Sequence, residues 1–159
     1  MTVIGTGTAG REEKTVTTTS AATKVSWSDV QPNRRRGGDV RILLSPKTVK
    51  STTGFGGMLT LEPGEFVCEH IHPYSEESIY VVSGQITMRI DTEYVDLGPG
   101  EACLVPINVK HRVENRGQEP AQVIFHLCPL APRPELGHID TEFLPGRDNE
   151  PAPQVGGHQ

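Results

Sequence analysis

The stretch from Gly64 to Gly84 most narrowly limits what this chain can become. It reads Gly64-Glu-Phe-Val-Cys-Glu-His70-Ile-His72-Pro-Tyr-Ser-Glu76-Glu77-Ser-Ile-Tyr-Val-Val-Ser-Gly84. If Phe66 to His72 is a strand, His70 and His72 stand two apart and both imidazoles leave the same face. Pro73, Tyr74 and Ser75 then turn the chain. Glu77 opens the next apolar run, Ile79 to Val82, and swings back beside the two histidines. Two neutral imidazoles and a carboxylate on one face suit a divalent transition metal.

A second segment, Gly100 to Asn115, follows the same pattern. Glycine opens it, an apolar strand follows, Pro106 ends that strand, and His111 begins the next and offers a fourth ligand. The rest of the chain agrees with a small all-β domain. Its 159 residues allow one domain with a sizeable core. Its 17 glycines and 13 prolines punctuate short apolar runs. Those runs are Val40 to Leu44, Met58 to Leu61, Phe66 to His72, Ile79 to Val82, Gln85 to Asp91, Ala102 to Val105, Arg112 to Asn115 and Gln122 to Leu127. No amphipathic helix of ten or more residues is legible, so the expected architecture is a jelly-roll barrel or sandwich.

A formal charge of −5 argues against a nucleic-acid-binding domain. No apolar run is long enough to span a bilayer, and no secretory leader is visible. Three cysteines without zinc-finger spacing fit a reducing cytosol. Cys68 shares strand parity with His70 and His72, so it faces the cavity or serves as a small buried hydrophobe. Residues 1–26 read as a flexible arm, 27–130 as the barrel, and 131–159 as a proline-rich tail that cannot continue a sheet. Gly5-Thr-Gly7-Thr-Ala-Gly10 matches a dinucleotide fingerprint, but neither the strand nor the helix that must flank it is present.

The two histidine segments together resemble the cupin superfamily. Gly64, His70, His72, Glu77 and Gly84 match its first motif, and Gly100, Pro106, His111 and Asn115 match its second. Asn108 stands where that family has glycine, and asparagine is the next most tolerant residue of a left-handed turn. The resemblance implies a jelly-roll β-barrel with His70, His72, Glu77 and His111 as metal ligands. The spacing to Gly84 selects Glu77 over Glu76, which alternation sends into solvent. Three further stretches, Asn33 to Pro46, His72 to Glu77 and Phe125 to His138, are similar to one branch of the cupins. These are the small aromatic polyketide cyclases of the tetracenomycin, resistomycin and spore-pigment type. The implied activity is intramolecular aldol condensation and dehydration of a poly-β-ketone.

That chemistry needs a polarised carbonyl, a base and a dry shaped cavity. The ion is expected to be zinc, with iron, nickel and manganese left open. His126, in the last apolar strand, is the candidate base or an extra ligand if it faces the cavity. His138 and His158, in the tail, read as surface residues. Arg34, Arg35, Arg36 and Arg41 form either a solvated, paired strand end or a landing patch for an acyl carrier protein. Two other functions stay open: a non-haem iron dioxygenase and a non-catalytic ligand-binding cupin. Monomer and homodimer are both compatible with the sequence.

Overall fold

Apolar runs broken by glycine and proline fold here into ten strands. The structure is a computed structural model and describes residues 23–147 and 149–153; most of the expected arm, and His158, lie outside the described residues. The strands are β1 (Asp39–Leu44), β2 (Phe55–Leu61), β3 (Phe66–Ile71), β4 (Glu76–Ser83), β5 (Ile86–Ile90), β6 (Glu93–Leu97), β7 (Ala102–Val105), β8 (His111–Glu114), β9 (Ala121–Cys128) and β10 (Ile139–Asp140). They form two antiparallel five-stranded sheets, ordered β1-β2-β9-β4-β7 and β10-β3-β8-β5-β6. The sheets face one another as an open jelly roll. One short helix, Pro46–Val49, is capped by Ser45, which accepts from the Thr48 amide.

Strict alternation builds the core. In β4, Glu77, Ile79 and Val81 are buried while Glu76, Ser78, Tyr80 and Val82 are exposed; β9 alternates the same way, with Val123, Phe125 and Leu127 inside. With Leu59, Leu61, Ile86, Met88 and Val113 they form one apolar cluster between the sheets. Each such side chain contributes about 1.5–3 kcal/mol by leaving water.

Two strands were not expected. The alternating polar residues of β6 hide its two inward side chains, Val95 and Leu97. The two-residue β10 exists because β3 offers a free edge: Ile139 pairs with Ile71 and Asp140 with His70. The expectation that the proline-rich tail cannot continue a sheet is therefore corrected. The tail crosses the sheet edge between its prolines, and Arg36 pins it through an ion pair with Asp140. The other cations of the cluster are also engaged. Arg35 meets Asp140 at 3.7 Å, and Arg34 and Arg41 meet Asp39 at 3.1 and 2.8 Å. Arg41 also stacks on Trp27.

The turn residues hold the hairpins in register. Asn108 takes the left-handed conformation (φ 65°), and its amide donates to the His72 carbonyl at 3.0 Å. Asn115 is buried beneath the end of β8. Its Nδ2 donates to Leu61 O and Glu119 O, both at 2.9 Å, and its Oδ1 accepts from the Gly117 amide at 2.9 Å. Asn115→Ala strands all three backbone partners and is expected to lower unfolding free energy by about 2–4 kcal/mol. Urea denaturation measures this; a loss below about 0.5 kcal/mol, the level of an ordinary surface substitution, would show that the side chain is not a structural staple.

Candidate metal centre

β3 delivers His70 and, just past its end, His72. β4 delivers Glu77 and β8 delivers His111, opposite His70 in the pairing of β3 with β8. All four side chains are buried, and one ligand atom from each lies within 4.8 Å of the others. Each histidine is oriented by a backbone carbonyl. His70 Nδ1 bonds Cys68 O at 2.8 Å, His72 Nδ1 bonds Gly137 O at 3.2 Å, and His111 Nδ1 bonds Val109 O at 3.0 Å. A carbonyl only accepts, so each Nδ1 must carry the proton. In the neutral rings this leaves the Nε2 lone pairs free for a ligand.

The Glu77 carboxylate sits among the three imidazoles. Glu77 Oε2 lies 2.8 Å from His111 Nε2 and 3.4 Å from His72 Nε2. Burial pushes the Glu77 carboxyl up, but its bonds with His111 and His72 outweigh that and hold it well below the usual range. Burial likewise pulls His111 down, and Glu77 overrides it and raises the imidazole. His70 is held well below the ordinary 6.5 by burial and by its neighbours His111 and His72. Without a metal, then, His111 and Glu77 form an ion pair within the cluster. Apart from those contacts, His72 Nε2, Glu77 Oε2 and His111 Nε2 have no hydrogen-bond partner among the described residues. A divalent ion would satisfy all three, so the donor set fits one.

The centre sits in a cavity of about 670 Å³, counted out to its open mouth. Ile42, Phe55, Leu59, Ile79, Phe125 and Leu127 make its wall apolar.

A fourth histidine completes it. His138, expected at the surface, enters the cavity from the tail; its ring centroid is 4.6 Å from His72 and 6.0 Å from His70. Burial, and then His72 and Arg36, hold it well below the ordinary value. No local pattern marked it, because its position depends on β10 docking beside β3.

His126 does the opposite. It lies on the exposed face of β9, between Gly56 and Ser78 in register, and its ring lies over Gly54 and Gly56. The expectation that it faces the cavity is not met, and alternation is the reason: Val123, Phe125 and Leu127 take the inward positions. Cys68 also leaves the cavity. The pairing of β3 with β8 slips by one residue between Val67 and His70. This bulge keeps Val67 and His70 inward and turns Cys68 under the tail, where burial and Glu142 raise its thiol. Glu76 is exposed, on the opposite face from Glu77.

Comparison with known proteins agrees with this geometry. Residues 57–127 match the Cupin domain family. The chain is 48% identical over 140 residues to the tetracenomycin polyketide synthase protein TcmJ of Streptomyces glaucescens, covering 88% of this chain and 93% of that protein. This chain is a cupin. It belongs with the small cupins of polyketide synthases. Polyketide synthase CurC of Streptomyces cyaneus is 49% identical over 118 residues, 74% of this chain and 77% of CurC. Among solved structures, the oxalate decarboxylase of Bacillus subtilis, a protein with Mn(II) centres, aligns with TM-score 0.62 and 25% identity over 72% of this cupin and 30% of its own chain.

Two predictions follow from the geometry. Glu77→Ala is expected to lower the metal content of purified protein several-fold, and Glu76→Ala to leave it unchanged; elemental analysis decides, and the reverse pattern would overturn the register. The second concerns acid. His70 and His138 resist protonation in the fold, so below pH 6.5 the unfolded chain binds more protons than the native chain and stability falls as pH falls. His111 contributes in the opposite sense, and its share is already complete below 6.5. Glu77 holds its share until pH falls below about 4.5. Metal-stripped protein should therefore lose thermal stability between pH 6.5 and 4.5, with a shallower slope in His138→Asn. An unchanged slope would show that His138 is not buried neutral.

Proposed function

We propose that this cupin closes rings in a poly-β-ketone by intramolecular aldol condensation and dehydration, with a divalent ion at the four-residue centre. The observation that supports it most directly is a buried His70–His72–Glu77–His111 cluster at one end of an apolar cavity, in a chain whose relatives are named as polyketide synthase proteins. His70, His72, Glu77 and His111 would hold the ion, for which zinc is the proposed identity. Once bound, it supplies Lewis acidity to a ketone oxygen.

The chain's own residues do the rest. The apolar wall excludes water and keeps a folded ketone chain's reacting carbons together. His138, rather than His126, is the acid/base group. Neutral at working pH, its ring takes the α-proton and returns a proton to the new alkoxide. A second α-proton and the hydroxyl then leave as water. One carbon–carbon bond forms, one water departs, and no electron is gained or lost, so no redox cofactor is required. Carrier delivery, if it occurs, does not meet four free arginines, since Arg34, Arg35, Arg36 and Arg41 are paired within the chain.

The test is metal analysis of purified protein beside cyclisation assays on a poly-β-ketone. About one zinc per chain, lost in His70→Ala and His111→Ala together with activity, is the expected result. His138→Ala should keep the metal and slow cyclisation by about 10²-fold or more, while His126→Ala changes neither. Iron-dependent oxygen uptake would replace this reading with the dioxygenase one, and tight binding without turnover would replace it with a binding role.

A further inference from the structure

Outside the metal cluster, few polar side chains reach the cavity. Among the described residues that line it they are Asn33, Arg36 and His138. His138 carries the acid/base role. Asn33 is engaged within the fold: its Nδ2 donates to Pro151 O at 3.0 Å, and its Oδ1 accepts from the Arg35 amide at 3.2 Å. Arg36 is the one formally charged lining residue besides Glu77. Its side chain is only 11% exposed. Asp140 takes its Nε. Both Nη groups, the open end of the guanidinium fork, have no hydrogen-bond partner among the described residues. Asp140 does not answer this cation alone, since Arg35 also meets it at 3.7 Å. The charge is felt inside the cavity, where it helps to hold the His138 imidazole below its ordinary value.

We propose that Arg36 is a substrate-binding residue that selects the ring to be closed, its two Nη groups donating to the two oxygens of an enolised 1,3-diketone unit. This rests on the reading of the cavity as a poly-β-ketone site. A largely buried cation with open donors favours an anionic or strongly accepting partner over a lone ketone. A planar fork open at both Nη groups matches two coplanar oxygens, as it does in a carboxylate. An enolised 1,3-diketone presents such a pair, and its enolate spreads one negative charge over both. Every dicarbonyl unit of a poly-β-ketone can take this form. The wall formed by Ile42, Phe55, Leu59 and Phe125 accepts the chain without fixing its register. A pocket of this kind orients its ligand through its few polar groups. With one dicarbonyl unit held at Arg36, the number of chain atoms between it and the metal cluster sets which carbonyl arrives there. Arg36 thereby decides which carbons are brought together.

Calorimetric titration of the full-length, metal-loaded protein tests this with probes too short to cyclise. They are benzoylacetone, an aryl 1,3-diketone; acetophenone, its one-carbonyl counterpart; and benzoate. Metal content is measured before and after each titration. Arg36→Gln should weaken benzoylacetone binding at least about 10-fold, the loss of charge-assisted hydrogen bonds, and leave acetophenone within about twofold. Asp140→Asn removes the ion pair to the tail but keeps the Nη groups, and should leave both probes and the metal content unchanged. In cyclisation assays Arg36→Gln should retain metal and spread the product over several ring patterns. An equal loss for benzoylacetone and acetophenone, or the same loss in Asp140→Asn, overturns the inference and leaves Arg36 as a pin for the tail. Absence of Arg36-dependent benzoylacetone binding overturns it too, as does benzoate proving the Arg36-dependent probe in its place. A wild type that holds benzoylacetone through Arg36 yet closes no ring would keep this inference and remove the cyclase reading instead.

Discussion

The arrangement depends on three hydrogen bonds from imidazole Nδ1 to backbone carbonyls. They fix the tautomers of His70, His72 and His111 and so gather lone pairs beside the Glu77 carboxylate. Lone pairs gathered in a low-dielectric interior repel one another, and each buried atom left unsatisfied costs about 1–3 kcal/mol. Such a cluster persists only where the surrounding sheets are rigid enough to hold it. The strands that carry it are therefore the strands that carry the core. Glu77 is followed by Ile79 and Val81 on the same inward face of β4, and His111 by Val113 on β8.

Local irregularity, as much as regular alternation, sets the site. Without the bulge in β3, Val67 and His70 would face opposite ways, and the core and metal centre could not be served by one strand. With it, the ligand pair is inward and Cys68 is displaced beneath the tail. Asn108 acts similarly at the second motif. Its left-handed turn binds the His72 carbonyl and ties the loop before His111 to the end of β3.

The fold and the four clustered residues were legible because they rest on short-range rules. Spacing of two places His70 and His72 together, and glycine and proline mark the hairpins. His126 was readable too: its strand carries Val123, Phe125 and Leu127 at one parity and a mixed set at the other, which points His126 outward. The bulge was not readable, since nothing within Phe66 to Ile71 announces an extra residue; it shows only against β8. His138 was least readable. A lone histidine after Gly137 in a proline-rich segment carries no period, and its direction comes from the pairing of Ile139 with Ile71, far away in sequence.

That long-range dependence gives the tail a functional meaning. The tail backbone accepts from His72 through Gly137 O, so the segment that introduces His138 also orients one of the ligands. Thr141 and Glu142 amides both donate to Glu69 O at 3.1 Å, and Arg36 secures Asp140. The centre is thus complete only when the end of the chain has docked. Because β10 adds just two residues to a sheet edge, its docking is among the weaker parts of the fold, and local opening favours such elements. His138 and the carbonyl that orients His72 are therefore carried on one segment, so opening of the tail removes both together, while His70 and His111 keep their own carbonyl partners in Cys68 and Val109.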